Sequence, residues 1–411
     1  MTSAKKQHFL HCLAITIIVA FCVNVYVLNI QQNFSIPLLS LMFLSPFLIY
    51  AFFPITIYEE FSIYAMYALM CGSAIAHFSS FRLSTIAYAG LFISIFLFYR
   101  RLLYTNVLSI ECFADTLKKI VYAYAIVLII QQLSTFLGLP VFNKCWNFEN
   151  PFKLNTLALE PSYIGPTITL LMYAFVESQK TIDHSWEIRN SLKQERWLWI
   201  SYFYISLTCG SSLTLLVTIS FIFYLIDLRK NFGLVLVYSP VILFFVFYLF
   251  DSLISYDSFY RMVNIVSAIL SGDAQNIIAT DLSASARLAP PLMYLNWIDF
   301  GDVNFLFGRG IDYSKNTLIV LLLGTDEYME QGNATGGLFP AFFLDYGFIT
   351  GLLFLWNLKK FAIKKFISYP FILWIIGFMP IGFNTAMQWM FFVIMTTVLY
   401  FKSDLFCRCL K

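Results

Sequence analysis

The apolar segment LVLVYSPVILFFVFYLF (residues 234–250) runs into the wet stretch 251–334, and LFPAFFLDYGFITGLLFLW (residues 338–356) closes it off again. Each flank is close to the length that crosses a hydrocarbon core as a helix. Between them lie ten Asp and Glu against four Lys and Arg. The same alternation of apolar runs and short charged junctions continues in both directions, so this one interruption decides the reading of the whole chain. A chain that only moves solute has little need of so large an outside loop. A chain that does chemistry on a membrane-delivered substrate does, and loops of this length are usually functional.

Composition agrees. Of 411 residues, 60% are hydrophobic and 12% are charged, and mean hydropathy is +0.75. These values place the chain among all-α polytopic integral membrane proteins. The expectation is a single membrane domain over 1–411 with the loop 251–334 inserted between spans 9 and 10. The eight cysteines show neither a disulfide framework nor metal-ligand spacing. The first apolar run has no small-residue cleavage site and reads as a retained span.

Lys and Arg sit in clusters after every second span. Spans are expected at 8–30, 36–56, 62–78, 84–99, 120–138 and 161–177. The run 197–226 is too long for one span and splits at Cys209-Gly210-Ser211-Ser212 into two. Span 9 (233–250) and span 10 (336–356) bracket the loop, and the last apolar run splits around Asn384. This map of twelve spans puts 19 of the 26 Lys and Arg on cytoplasmic segments, which satisfies the positive-inside rule with both termini cytoplasmic. Ten spans result if both split runs are single tilted helices.

Chemistry is then sought on the outside surface. Glu160 precedes Pro161 at the mouth of span 6. Proline suits a first helical turn, and Glu160 falls at the N-cap, where free amides and the helix dipole favour a carboxylate. It reads as an ordinary helix cap or as a base facing substrate. Arg287 and Arg309, with Arg261 and Arg82 behind them, are candidates for phosphate, which guanidinium binds through paired hydrogen bonds. The competing reading pairs them with the loop's own Asp299, Asp302 and Asp312. Ser211 and Ser212 in the hairpin read first as small residues that let two helices approach. The histidines (His8, His11, His77 and His184) supply no Ser-His-Asp set. There is no Gly-rich phosphate loop or Asp-x-Asp metal pair, and the acidic loop argues against a nucleic-acid partner.

Taken in order, these elements resemble the oligosaccharide repeat-unit polymerases, the Wzy-type O-antigen polymerases, which are related to the O-antigen ligases. The residues that carry the resemblance are Glu160-Pro161-Ser162-Tyr163 at a middle span, the hydroxyl hairpin Ser211, Ser212 and Thr214, and Arg287 followed by Phe307-Gly308-Arg309-Gly310. Asn333 then precedes Asp345-Tyr346-Gly347-Phe348-Ile349-Thr350-Gly351. The resemblance covers most of the C-terminal two-thirds, while spans 1 to 4 contribute only topology. The loop lacks the histidine that the ligases carry.

The resemblance implies a GT-C-like glycosyltransferase of the bacterial inner membrane that polymerises undecaprenyl-pyrophosphate-linked oligosaccharide at the periplasmic face. Lipid pyrophosphate would be the leaving group, with no cofactor and no metal. Glu160 would orient or deprotonate the acceptor hydroxyl. Arg287 would stabilise the leaving group, with Arg309, Arg261 and Arg82 binding pyrophosphate and Ser162, Tyr163, Ser211, Ser212 and Asn333 in support. A chain-length regulator and a flippase of the same pathway would be its partners. The alternatives are an O-antigen ligase acting on lipid A core and a lipid-linked oligosaccharide flippase or transporter.

Overall fold

The structure is a computed structural model. It describes residues 3–25, 35–53, 58–143, 150–226, 298–315 and 337–403, with isolated positions between 260 and 295. Every element among the described residues is helical, and no strand occurs there. The chain divides into two compact units. Unit 1 comprises Met1–Val23, Gln32–Phe113 and Ala268–Lys411; unit 2 comprises Asn24–Gln31 and Ala114–Ser267.

Unit 1 is built around α4. Its helices are α1 (Ser3–Cys22), α2 (Ile36–Phe52), α3 (Phe61–Ala76) and α4 (Leu83–Leu103). The 21 residues of α4 rise about 31 Å at 1.5 Å each, close to the thickness of a hydrocarbon core. Arg100 and Arg101, in the last turn, are the charges within it. Among the described helices α4 is long and apolar enough to cross a membrane, and Ile36–Phe52, Ser212–Ile226 and Ala386–Phe401 are shorter apolar helices. Buried aromatic rings knit α4 to the C-terminal helix: Phe92 stacks on Trp389 at 6.0 Å, and Phe96 meets Phe392 edge-on at 5.5 Å. Ser35 caps α2, its hydroxyl accepting from the Leu38 amide. The outer side of α2 presents Phe43, Leu44, Phe47 and Tyr50 in the open. Their spacing of three and four residues makes one stripe, and a stripe this apolar is unsuited to water.

α5 (Ile110–Phe136) passes into unit 2 after its first turn. There α6 (Pro161–Ile182), α7 (Ile188–Gln194), α8 (Arg196–Thr208) and α9 (Ser212–Ile226) follow, with α6 packed on α9 and α8. The break between α8 and α9 falls at the expected Cys209-Gly210-Ser211 turn. α5 also turns Ile126, Ile129, Ile130 and Leu133 outward.

The rest of unit 1 comprises α10 (Val303–Phe307), α11 (Ala341–Tyr346), α12 (Phe348–Leu358), a π-helical turn (Lys359–Ile363), α13 (Tyr369–Gly377) and α14 (Ala386–Phe401). The break before α14 matches the expectation around Asn384. The continuous span 10 over 336–356 does not hold. Gly347, at φ 90° and ψ 160°, separates α11 from α12, a conformation open to glycine and strained for other residues. Span 1 is also shorter than expected, since α1 ends at Cys22. Span 9 lies outside the described residues.

One feature of unit 1 has no counterpart in the expected map. Glu60 is wholly buried, and so, nearly, are Arg100 and Arg101, at 3% exposure each. Arg101 grips Glu60 with Nε at 3.2 Å from both carboxylate oxygens and Nη2 at 2.5 Å from Oε2, and Arg100 Nη1 reaches Glu60 Oε1 at 3.1 Å. Arg101 Nη1 also donates to the Phe53 carbonyl at 2.6 Å, and Arg100 Nη2 to the Glu59 carboxylate and the Tyr104 hydroxyl. Buried charges persist only when paired and hydrogen-bonded in this way.

Candidate functional site

Two constellations stand out, one in each unit. In unit 2 the non-helical segment ahead of α6 is held by buried amide side chains. Asn143 Nδ2 donates to the Asn24 carbonyl (2.9 Å) and the Thr156 carbonyl (2.6 Å). Asn155 Nδ2 donates to Asn143 O and Ala158 O. Gln131 accepts from the Thr156 amide at 2.9 Å and donates to Phe142 O at 2.7 Å, while the Tyr124 hydroxyl donates to Leu157 O. A non-helical backbone buried here has no ladder of its own, and its polar groups must be met from side chains. The amides supply what a helix would have supplied internally.

This segment delivers Glu160 to the start of α6. Glu160 occupies the N-cap position in an extended conformation, and Pro161 begins the helix. The cap bond expected of a carboxylate there is not made. Instead the Ser162 hydroxyl donates to Glu160 Oε2 at 3.2 Å. The hairpin closes on the same segment. A Cβ at Gly165 would stand 2.3 Å from Thr214 Oγ1, and one at Gly210 (φ 65°) would overlap the Phe152 carbonyl oxygen. These contacts require glycine at both positions and join the α6 mouth to Ser211 and Ser212. Both serines are half-buried, as are Glu160, Ser162 and Tyr163.

In unit 1 the turn Gly308-Arg309-Gly310 docks on the break at Gly347. The Arg309 amide donates to Leu344 O (3.1 Å) and the Gly310 amide to Asp345 O (3.0 Å). Gly308 and Gly347 lie back to back: a Cβ on Gly347 would be 2.4 Å from the Gly308 nitrogen. Ser73 Oγ donates to Asp345 O at 2.9 Å, and Asp345 Oδ1 accepts from the Ser314 amide at 2.7 Å. Gly310 rests on His77, whose Cβ would be 2.6 Å from a Cβ placed there. Rings behind the turn hold it, with Phe305 stacked on Phe348 at 5.4 Å and Phe300 edge-on to Phe348 at 5.5 Å.

Arg309 leans over the Tyr313 ring at 5.1 Å, with Nη1 2.7 Å from the Tyr313 hydroxyl and Nη2 2.7 Å from Asp302 Oδ2. Burial works against its charge, and the Tyr313 hydroxyl and then Asp302 outweigh it, so its pKa lies above the ordinary arginine value. Arg82, at the N-cap of α4, meets Asp312 Oδ2 at 2.7 Å. The pairing of loop arginines with loop carboxylates is therefore present. It is also open, for the side chains of Arg309 and Arg82 are 36% and 61% exposed.

Of the expected site residues, Glu160, Ser162, Tyr163, Ser211 and Ser212 gather in unit 2, and Arg82 and Arg309 lie on neighbouring turns of unit 1. Arg261, Arg287 and Asn333 lie outside the described residues. The amide cluster of Gln131, Asn143 and Asn155 was not expected. Its signal was the pair Gln131-Gln132 inside an apolar run, since polar groups at such positions are costly and have a purpose. Among the described residues, no three of His, Cys, Asp and Glu converge as a metal site. Compared with protein-family models, curated proteins and solved structures, the chain matches none.

Proposed function

We propose that the chain is a multi-pass membrane glycosyltransferase that joins oligosaccharide repeat units carried on undecaprenyl pyrophosphate at the periplasmic face of the inner membrane. The observation that carries the reading is the Arg309 turn. A glycine-bounded loop sets one guanidinium on an aromatic ring, partly open and held by a single carboxylate. Such a group offers further N–H donors to a phosphate oxygen. The outward apolar stripes of α2 and α5 and the length of α4 support the membrane setting.

In this reading an acceptor sugar hydroxyl attacks the anomeric carbon of the donor glycan. The bond from that carbon to the pyrophosphate oxygen breaks, and the hydroxyl proton passes to Glu160. Negative charge grows on the departing pyrophosphate, and arginines fixed in place beforehand stabilise it more than they stabilise the bound substrate. Arg309 and Arg82 of unit 1 are proposed for that role from their neighbouring turns, and Glu160 of unit 2 for the base from its own helix mouth, each on its separate grounds. Arg287 and Arg261 join the arginines in the proposal.

The test is the surface lipopolysaccharide ladder of a deletion strain complemented with wild type, Glu160→Ala or Arg309→Ala. The expected result is a ladder with wild type and a collapse to core plus one repeat with either variant, with both variants present in the membrane at wild-type amounts. Removing one such donor lowers turnover by about 100-fold or more. Loss of even the single repeat in the deletion strain points to ligation or transport and overturns the proposal.

A further inference from the structure

The basic end of unit 1 holds a cleft of about 120 Å³ between α4, the π-helical turn and α14. Arg100, Tyr104, Lys360, Phe361, Thr396 and Leu399 are among its walls. The cleft is far from the Arg309 turn along α4 and plays no part in the reaction proposed above. Its chemistry is distinctive. Arg100 is nearly sealed in protein yet reaches the cleft, its guanidinium 5.0 Å from both the Tyr104 and the Phe361 ring centres. Named partners for this guanidinium are Glu60, Glu59 and the Tyr104 hydroxyl, while a guanidinium has five N–H groups in all. Lys360 Nζ donates to the Glu59 backbone carbonyl at 2.5 Å, which brings the ammonium to the rim and spends one of its three hydrogens.

Charge settles the sign of the ligand. Arg100, Arg101 and Lys360 exceed Glu59 and Glu60 by one positive charge, and Lys359, Lys364 and Lys365 add to the same end. Leu103, Leu399, Phe361 and the Tyr104 ring make part of the remaining wall apolar, and Thr396, Tyr400 and Ser403 add hydroxyls. A basic pocket with partly apolar walls at one end of membrane helices suits a phosphate on an acyl-chain carrier. We propose that this cleft binds a phosphate group, with Arg100 and Lys360 as its cationic contacts.

The experiment follows thermal unfolding of the full-length chain in detergent during titration with phosphatidylglycerol, with diacylglycerol, and with inorganic phosphate against chloride at matched ionic strength. Lys360→Gln, Lys360→Arg and Lys365→Gln are compared with wild type; Lys365 is exposed and outside the cleft. The expected result is a saturable rise in midpoint with a phosphate carrier and none with diacylglycerol. Lys360→Gln weakens the apparent affinity about tenfold, the loss of one charge-assisted contact. Lys360→Arg restores it, and Lys365→Gln leaves it within about twofold. A rise with phosphatidylglycerol alone assigns the site to a lipid headgroup, and an equal rise with inorganic phosphate assigns it to the free anion. Absence of a saturable rise with either carrier, or equal loss in Lys360→Gln and Lys365→Gln, overturns the proposal.

Discussion

Helix α4 carries arginine at both ends, and the two ends treat it differently. At the C-terminal end Arg100 and Arg101 close on Glu60 with almost no surface left exposed. At the N-terminal end Arg82 meets Asp312 in the open, beside the less exposed but still partly open pair of Arg309 and Asp302. The ion pairs are chemically alike, but burial gives them different work. A sealed pair cannot exchange its carboxylate for a ligand without opening the protein, so it serves the fold, and a phosphate in the cleft beside Arg100 adds to the pair rather than displacing it. An open pair holds its guanidinium loosely in a partly aqueous setting, where a phosphate can compete for it.

The sharpest way to break this comparison is Glu60→Gln. It leaves Arg100 and Arg101 without their shared buried carboxylate, and the expected cost is about 3–5 kcal/mol. Glu59→Gln, at a side chain 55% exposed, is expected to cost less than about 1 kcal/mol. Unfolding of the two purified variants in detergent measures both. Equal, small losses remove the distinction between sealed and open pairs.

Unit 2 repeats the contrast without charge: sealed amides stand behind a half-buried carboxylate. Asn143→Ala leaves the Asn24 and Thr156 carbonyls without their donor, and about 1–3 kcal/mol of stability is expected to go with it. Amide hydrogen exchange across residues 150–160 is expected to quicken more than exchange in α9. Unchanged protection in that segment means that the amides do not hold the backbone leading to Glu160.

These contrasts were only partly legible in the sequence. The turn at Cys209-Gly210-Ser211, the break near Asn384 and the Glu160–Pro161 helix start all carry local signals, in the form of glycine, small polar residues and a proline at a first turn. The sealed cluster does not. Glu60 and Arg101 are 41 residues apart, and each taken alone resembles a solvated charge at the end of a span. Only packing brings them together, and local pattern is blind to that. The break at Gly347 was hidden for another reason. The residues on both sides are apolar, so hydropathy runs through it, and the need for glycine arises from Gly308 across the contact. The pairing of Arg309 with Asp302 was one of two readings open from the sequence; the structure makes the pair and leaves the guanidinium partly exposed.

The smallest expected effect is also the most discriminating. Asp302 does two jobs: Oδ2 pairs with Arg309, and Oδ1 accepts from the Asn304 amide at 2.8 Å to cap α10. Asn is as good a cap as Asp, so Asp302→Asn keeps the second job and removes the charge from the first. Stability is expected to shift by less than about 1 kcal/mol, because the pair is partly exposed. If the Arg309 turn serves a phosphate, the variant binds a polyprenyl pyrophosphate more tightly, since a competing carboxylate has gone. If Arg309 serves only to anchor the loop to Asp302, the variant gains nothing and the turn loosens. A binding titration of wild type and Asp302→Asn against polyprenyl pyrophosphate in detergent separates the two by the sign of the change. Arg309→Lys provides the control, for an ammonium keeps the charge but loses the forked geometry that phosphate recognition uses.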